Sequence, residues 1–148
     1  MQVVIYTDGA AKGNPGNGGY GAVLMYGKHK KELSEGFVRT TNNRMELLAV
    51  IVALETLTRP VKATVYSDSK YVVDSVEKKW VLGWEKKNFK DKKNVDLWKR
   101  FLKINKKHTV NFVWVKGHDG NPLNERCDQL AVAAAEGGNL KVDEGFEG

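Results

Sequence analysis

The chain has 148 residues, 41% hydrophobic and 28% charged, with a net charge of +6. That length supports one domain with a buried core, and the balance excludes a disordered polypeptide. The longest apolar run, residues 47–54, falls well short of the ~20 residues that cross a bilayer, and the single Cys127 excludes an internal disulfide.

Val3 to Thr7 alternates as a strand and ends at Asp8. Residues 9–19, rich in glycine, read as a long turn, followed by strands over Tyr20–Tyr26 and Lys31–Val38. Short connections make these three an antiparallel meander. Residues 40–43, Thr-Thr-Asn-Asn, offer caps for a helix over Met45–Leu57 that is apolar on nearly all sides and that Pro60 stops. A fourth strand, Ala63–Ser67, is reached through that helix and can pair in parallel with the first. Short helices follow over Ser69–Lys79 and Trp80–Lys87, then a basic loop over Asn88–Lys93 and a helix over Asn94–Lys106. Val110–Val115 is a fifth strand, residues 116–122 a loop, and Leu123–Glu136 the last helix, with Cys127 as a packing residue. The expected fold is α/β: a five-stranded mixed sheet, three strands in a meander and two parallel, flanked by helices with a basic helical protrusion. One domain would span residues 1–136, with the protrusion at about 78–94 and a mobile, Gly- and acid-rich tail over 137–148. No charged-then-apolar leader precedes Val3, so a cytoplasmic protein without membrane association is expected, and nothing in the pattern demands more than a monomer.

The positive charge is concentrated. Between Lys78 and Lys107 there are twelve Lys and Arg against only Glu85, Asp91 and Asp96, and Trp80, Trp84, Phe89 and Trp98 are interleaved with them. A run of charge is ordinarily a solvated helix face. Cations beside aromatic rings also offer phosphate partners and stacking surfaces together, which points to nucleic acid.

Four carboxylates stand where they are costly. Asp8 and Asp68 close apolar strands that are expected neighbours, the usual place for chemistry on an open α/β sheet. Glu46 shares a helix stripe with Ala49, Val50 and Ala53, and Asp128 shares one with Ala131, Val132 and Ala135. Singly, each reads as a cap, a turn acid or a surface acid. Converging, they would repel one another and resist ionisation unless a divalent cation joined them, and oxygen-only ligands suit Mg²⁺ or Mn²⁺. Two such ions roughly 3.5–4 Å apart can clamp a phosphodiester. Site and basic flank together point to metal-dependent hydrolysis of nucleic acid.

The stretches 6–9 (YTDG), 13–16 (GNPG), 18–22 (GGYGA), 40–46 (TTNNRME), 67–69 (SDS), 93–98 (KNVDLW), 114–118 (WVKGH) and 124–128 (NERCD) closely resemble the type 1 ribonuclease H family, bacterial ribonuclease HI, in order from about Val3 to Ala135. The resemblance implies an endonuclease that cuts the RNA strand of RNA–DNA hybrids, leaving 3′-hydroxyl and 5′-phosphate ends. It implies Mg²⁺, with Mn²⁺ as a substitute and two ions when substrate is bound. Asp8, Glu46, Asp68 and Asp128 would be the metal-binding catalytic acids, and His118 the loop histidine assisting proton transfer or product release. Taken alone, His118 reads as an exposed loop residue. Asn14, Asn42 and Asn43 would reach sugar hydroxyls and base edges in the minor groove; an amide that both donates and accepts suits a 2′-hydroxyl. Asn42 and Asn43 alone read as helix caps. Arg39, Thr41 and Asn94 would hold a phosphate of the DNA strand, and Trp80 and Trp84 would line the DNA channel; taken alone both read as packing of the protrusion's helices against the body, and for Trp80 the two readings weigh equally. Lys70 stands where glutamine is frequent, giving a phosphate contact near the groove. Ala10-Ala11 replaces a more usual Ser-Cys, and the protrusion loop is shorter than in some relatives. These departures bear on affinity rather than on the reaction. Two other readings share the fold: a non-catalytic hybrid-binding module, which has no need of four acids, and a nuclease or strand-transfer enzyme acting on DNA, against which the protrusion and the Asn42-Asn43 pair count.

Overall fold

In the computed structural model, which describes residues 2–147, β1 (Gln2–Gly13) lies at the centre of the sheet. It pairs antiparallel with β2 (Gly16–Tyr26), which pairs antiparallel with β3 (His29–Thr40). On its other side β1 pairs in parallel with β4 (Lys62–Ser67), and β4 with β5 (Thr109–Trp114). The register sets Thr7 opposite Ser67, so Asp8, still within β1, and Asp68, just past β4, stand side by side where the two strands stop pairing.

All five expected strands are present, with two differences. Residues 9–19, expected as a long turn, are mostly strand: β1 and β2 run on to Gly13 and from Gly16, leaving only Asn14-Pro15 between them. The glycines here serve close packing more than chain reversal. A Cβ on Gly9 would lie 2.3 Å from the Glu46 nitrogen, and one on Gly18 would strike Thr40 and the Ala10 carbonyl. The second difference is a sixth strand, β6 (Lys141–Val142), which pairs in parallel with Phe37 and Val38 of β3. The tail expected to be mobile is thus docked on the sheet, and the strand order is β5-β4-β1-β2-β3-β6.

Helices cover both faces. The first, α1 (Asn42–Thr56), buries ten of its fifteen residues, as its all-round apolar sequence requires. Thr41 caps it by accepting from the Arg44 backbone N–H at 3.3 Å. On the same side α4 (Val95–Asn105) packs its stripe of Leu97, Trp98, Phe101 and Leu102 against α1 and the core. Two shorter helices, α2 (Lys70–Glu77) and α3 (Trp80–Lys86), lead from β4 into the protrusion. The opposite face is covered by α5 (Pro122–Glu136), which starts at an Asn121 cap with Pro122 in its first turn. A row of glycines receives it: a Cβ on Gly19, Gly21 or Gly36 would lie within 2.5 Å of a backbone carbonyl of α5. Among the described residues no helix is long and apolar enough to cross a membrane.

Candidate active site

Three acids converge where β4 ends beside β1. Asp8 comes from β1, Asp68 from the turn after β4, and Glu46 from the first turns of α1; one carboxylate oxygen of each lies within 4.8 Å of the other two. Gly9 makes this possible, because only a residue without a side chain lets α1 come so close to the strand. Its N–H donates both to Asp8 Oδ1, at 2.9 Å, and to Glu46 Oε1. Asp68 is held from three sides. Its carbonyl accepts from Trp114 Nε1 at 3.1 Å, its Oδ2 from Asn124 Nδ2 at 3.5 Å, and the turn beyond it is fixed by the Ser69 N–H donating to Ser67 Oγ.

Burial dominates the electrostatics. It raises the Asp8 carboxyl to about 7; the hydrogen bond with Glu46 opposes this, the charge of Asp68 adds to it, the Gly9 bond opposes it and the charge of Asp128 adds again. Glu46 is pushed well above the usual carboxylate range, first by burial, then by its hydrogen bond with Asp8 and by the charges of Asp8 and Asp68. Such a pair titrates as a unit and holds protons near neutral pH unless another positive charge replaces them. The residues fit a divalent cation. All donors are hard oxygens, their spread is close to the ~4 Å that separates opposite ligands around Mg²⁺, and Glu46 Oε2 is buried with no hydrogen-bond partner among the described residues. Asp8, Glu46 and Asp68 form an acidic metal-binding triad.

Asp128, on α5, lines the same cleft half-buried and lies outside the tight cluster of three. His118 also lines it, exposed and in the left-handed region at φ 55°. Asn42, Asn43 and Lys70 complete the rim. The helix cap is Thr41, so capping does not consume the Asn42 and Asn43 side chains, both exposed. Asn14 Oδ1 accepts from the Asn42 backbone N–H at 3.1 Å, tying the β1–β2 turn to the start of α1. The Lys70 ammonium sits 4.8 Å from the centre of the Trp114 ring. A second cleft, of about 480 Å³, opens beside the first and is lined by Asn14, Thr41, Asn43 and Asn94 together with Lys92 and Lys93. Arg39, exposed on β3, stands 6.0 Å from the ring of Phe146, another residue of that cleft.

The two tryptophans divide. Trp80 is 46% exposed beneath the Lys78 ammonium, whereas Trp84 packs edge-on against Trp98 with ring centres 5.8 Å apart. Phe89 is buried and anchors the basic loop to the body. Cys127 is fully buried and its thiol pushed up to about 12, mainly by burial, so it is a packing residue.

Sequence reasoning gave no role to Arg44, Asn124 or Trp114, although all three lie in the stretches that carry the resemblance. Arg44 alone carried a usable signal, as a charged residue within an apolar helix.

The RNase H family profile matches residues 1–136. A ribonuclease H from Lachnoclostridium phytofermentans is 56% identical over 154 residues, covering 97% of this chain and 98% of the relative. One from Rippkaea orientalis is 54% identical, covering 99% and 93%. Among solved structures, LC9-RNase H1, described as a type 1 RNase H with the type 2 active-site motif, superposes with a TM-score of 0.84 at 30% identity, covering 93% of this chain and 74% of that one. LC11-RNase H1, solved in complex with an RNA/DNA hybrid, gives 0.66 at 28% identity, covering 90% and 96%. Sequence and fold agree with the acidic triad: the chain belongs to the type 1 ribonuclease H family, endoribonucleases that cleave the RNA strand of RNA–DNA hybrids.

Proposed function

We propose that this chain hydrolyses the RNA strand of RNA–DNA hybrids with Mg²⁺, or Mn²⁺ in its place, held by Asp8, Glu46, Asp68 and Asp128, two ions being bound when substrate is present. The carrying observation is the three-acid cluster with its buried Glu46 oxygen, unpartnered among the described residues. Divalent ions there would supply an activated water and stabilise the leaving oxygen, giving 3′-hydroxyl and 5′-phosphate ends. The acids bind and orient; none is placed to attack. Asp128 supports the reading by sharing the cleft and by its charge on Asp8. His118, on an exposed loop at the cleft mouth, moves protons to or from the departing group or helps product leave.

Recognition divides between the two clefts. Asn14, Asn42 and Asn43 read 2′-hydroxyls and base edges. Arg39, Thr41 and Asn94, with Lys92 and Lys93 beside them, hold a phosphate of the DNA strand. Trp80 offers its exposed ring to the DNA strand, Trp84 supports the protrusion from behind, and Lys70 reaches a phosphate from its seat on Trp114. Residues 1–136 are the catalytic domain. The enzyme works as a cytoplasmic monomer.

The test is cleavage of end-labelled RNA–DNA, RNA–RNA and DNA–DNA duplexes with Mg²⁺ and with chelator. Cutting of the RNA strand in the hybrid alone, abolished by chelation, is expected. Tight hybrid binding without cleavage, or DNA–DNA cleavage at the hybrid's rate, would overturn the reading.

A further inference from the structure

Asp143 lies five residues from the end of the chain, yet its side chain is only 8% exposed. Its Oδ2 accepts from Thr40 Oγ1 at 2.6 Å and from Arg44 Nε at 2.7 Å, and its Oδ1 accepts from Arg44 Nη2 at 3.0 Å. Asp96 takes two more bonds from the same guanidinium, at 2.9 and 2.7 Å, and Asn94 Oδ1 takes one at 3.4 Å. These five bonds match the five N–H donors of an arginine. Arg44, only 2% exposed, therefore joins the start of α1, the start of α4 and the C-terminal segment at one point.

The network reaches residues that line the second cleft. Asn94 sits in the left-handed region at φ 61° and makes no side-chain cap bond to α4. Its amide is oriented by other groups: the oxygen by Arg44, the nitrogen by Tyr71 Oη at 3.1 Å, an oxygen that also accepts from Trp98 Nε1 at 2.8 Å. On the α1 side, Thr41 accepts from the Arg44 backbone and Thr40 donates to Asp143. The tail itself closes the cleft: Gly145, Phe146 and Glu147 line it, and the Phe146 ring lies 5.8 Å from the Arg44 guanidinium. Removing the Asp143 carboxylate takes away two of the five acceptors of Arg44. A buried guanidinium left so must turn toward water or toward Asp96, and Asn94 loses its fixed partner.

We propose that Asp143 is a positioning residue for substrate binding: through the Arg44 guanidinium it fixes Asn94, through Thr40 it fixes the backbone next to Thr41, and the C-terminal segment is thereby part of the hybrid cleft. This rests on the hybrid reading above. None of these contacts touches Asp8, Glu46 or Asp68, so the effect falls on affinity and not on the chemical step.

The experiment compares the full chain with Asp143→Ala and Asp143→Asn. Dissociation constants for a fluorescein-labelled RNA–DNA hybrid are measured by anisotropy in chelator, and kcat and KM in saturating Mg²⁺, with the folded fraction of each protein taken from circular dichroism. Asp143→Ala should raise both the dissociation constant and KM about tenfold and leave kcat per folded molecule within about twofold. Asp143→Asn keeps an acceptor for Arg44 Nε and should recover part of the loss, which a role in global stability alone would not produce. Unchanged affinity in the folded alanine variant, or a fall in kcat at constant KM, overturns the proposal. If the alanine variant does not fold, the asparagine variant decides on the same criterion. A wild-type chain that fails to bind hybrid at all overturns the functional reading, and that control is seen before any variant is compared.

Discussion

Asp8 and Glu46 sit together with burial first, and the charge of Asp68 after it, opposing the charge of both. In the unfolded chain Asp8 ionises near 3.8, and in the folded protein near 7. Between those values the folded state holds more protons than the unfolded one, so this group's contribution to stability is complete below pH 3.8, falls as pH rises and is lost above about 7. Asp8→Asn removes the term. In chelator it should raise the melting temperature over wild type by about 3 °C or more at pH 8 and by much less at pH 4.5, measured by thermal scans across that range. It should also abolish hybrid cleavage while anisotropy shows most of the binding retained. The same raised groups must lose protons to take a cation, so Mn²⁺ affinity measured by calorimetry should weaken steadily as pH falls below 7; affinity flat down to pH 5 would mean the carboxylates do not dominate the ligand set. The acids were legible because carboxylates ending apolar strands or within apolar helix stripes are conspicuous in sequence. Arg44 is conspicuous too, as a charge within an apolar helix, but its role was not legible, because its partners Asp96 and Asp143 lie 52 and 99 residues away.

At the scale of elements, apolar patterning with its caps and breakers located all five helices and the five long strands: a buried stripe marks α4, and an apolar run stopped by Pro60 marks α1. The glycine-rich residues 9–19 misled, since glycine marks a turn only when the chain needs its freedom; here Gly9 and Gly19 make room for helices. Gly21 shows this best. It pairs with Asp8 across the sheet, and a Cβ on it would lie 2.4 Å from the Cys127 carbonyl of α5. Backbone cannot yield there as the end of a long side chain would. Gly21→Val should therefore push α5 off the sheet and cost about 1–3 kcal/mol in urea unfolding. Because α5 carries Asn124 and Asp128, cleavage by the folded fraction should fall as well. By contrast, Gly83 on α3 has open space where its Cβ would be, and Gly83→Ala should leave stability unchanged or raise it by up to about 1 kcal/mol.

Across the whole molecule, charge is sorted by region. The acids gather where β4 ends beside β1, while residues 78–94 carry Lys78, Lys79, Lys86, Lys87, Lys90, Lys92 and Lys93 against Glu85 and Asp91. A polyanion is repelled by the first region and drawn to the second, so the protrusion supplies the attraction that brings a duplex to a site of its own sign. Sequence revealed this charge run but not its mounting. The chain there takes left-handed backbone at Lys79, Asn88, Phe89, Asp91 and Asn94, a run of tight reversals pinned by buried Phe89 and by Trp84 against Trp98, which no periodicity foretells. The arrangement separates binding from chemistry in a measurable way. Each lysine that contacts a phosphate releases condensed counterions, steepening the dependence of log affinity on log salt by a little under one unit. Replacing Lys87 and Lys90 together by alanine should flatten that slope by about 1–2, raise KM several-fold at 0.1 M salt and leave kcat at saturating hybrid near its wild-type value. Variants that lower kcat while leaving the slope untouched would show instead that the protrusion shapes the acid site, although none of its residues lies in the acid cluster.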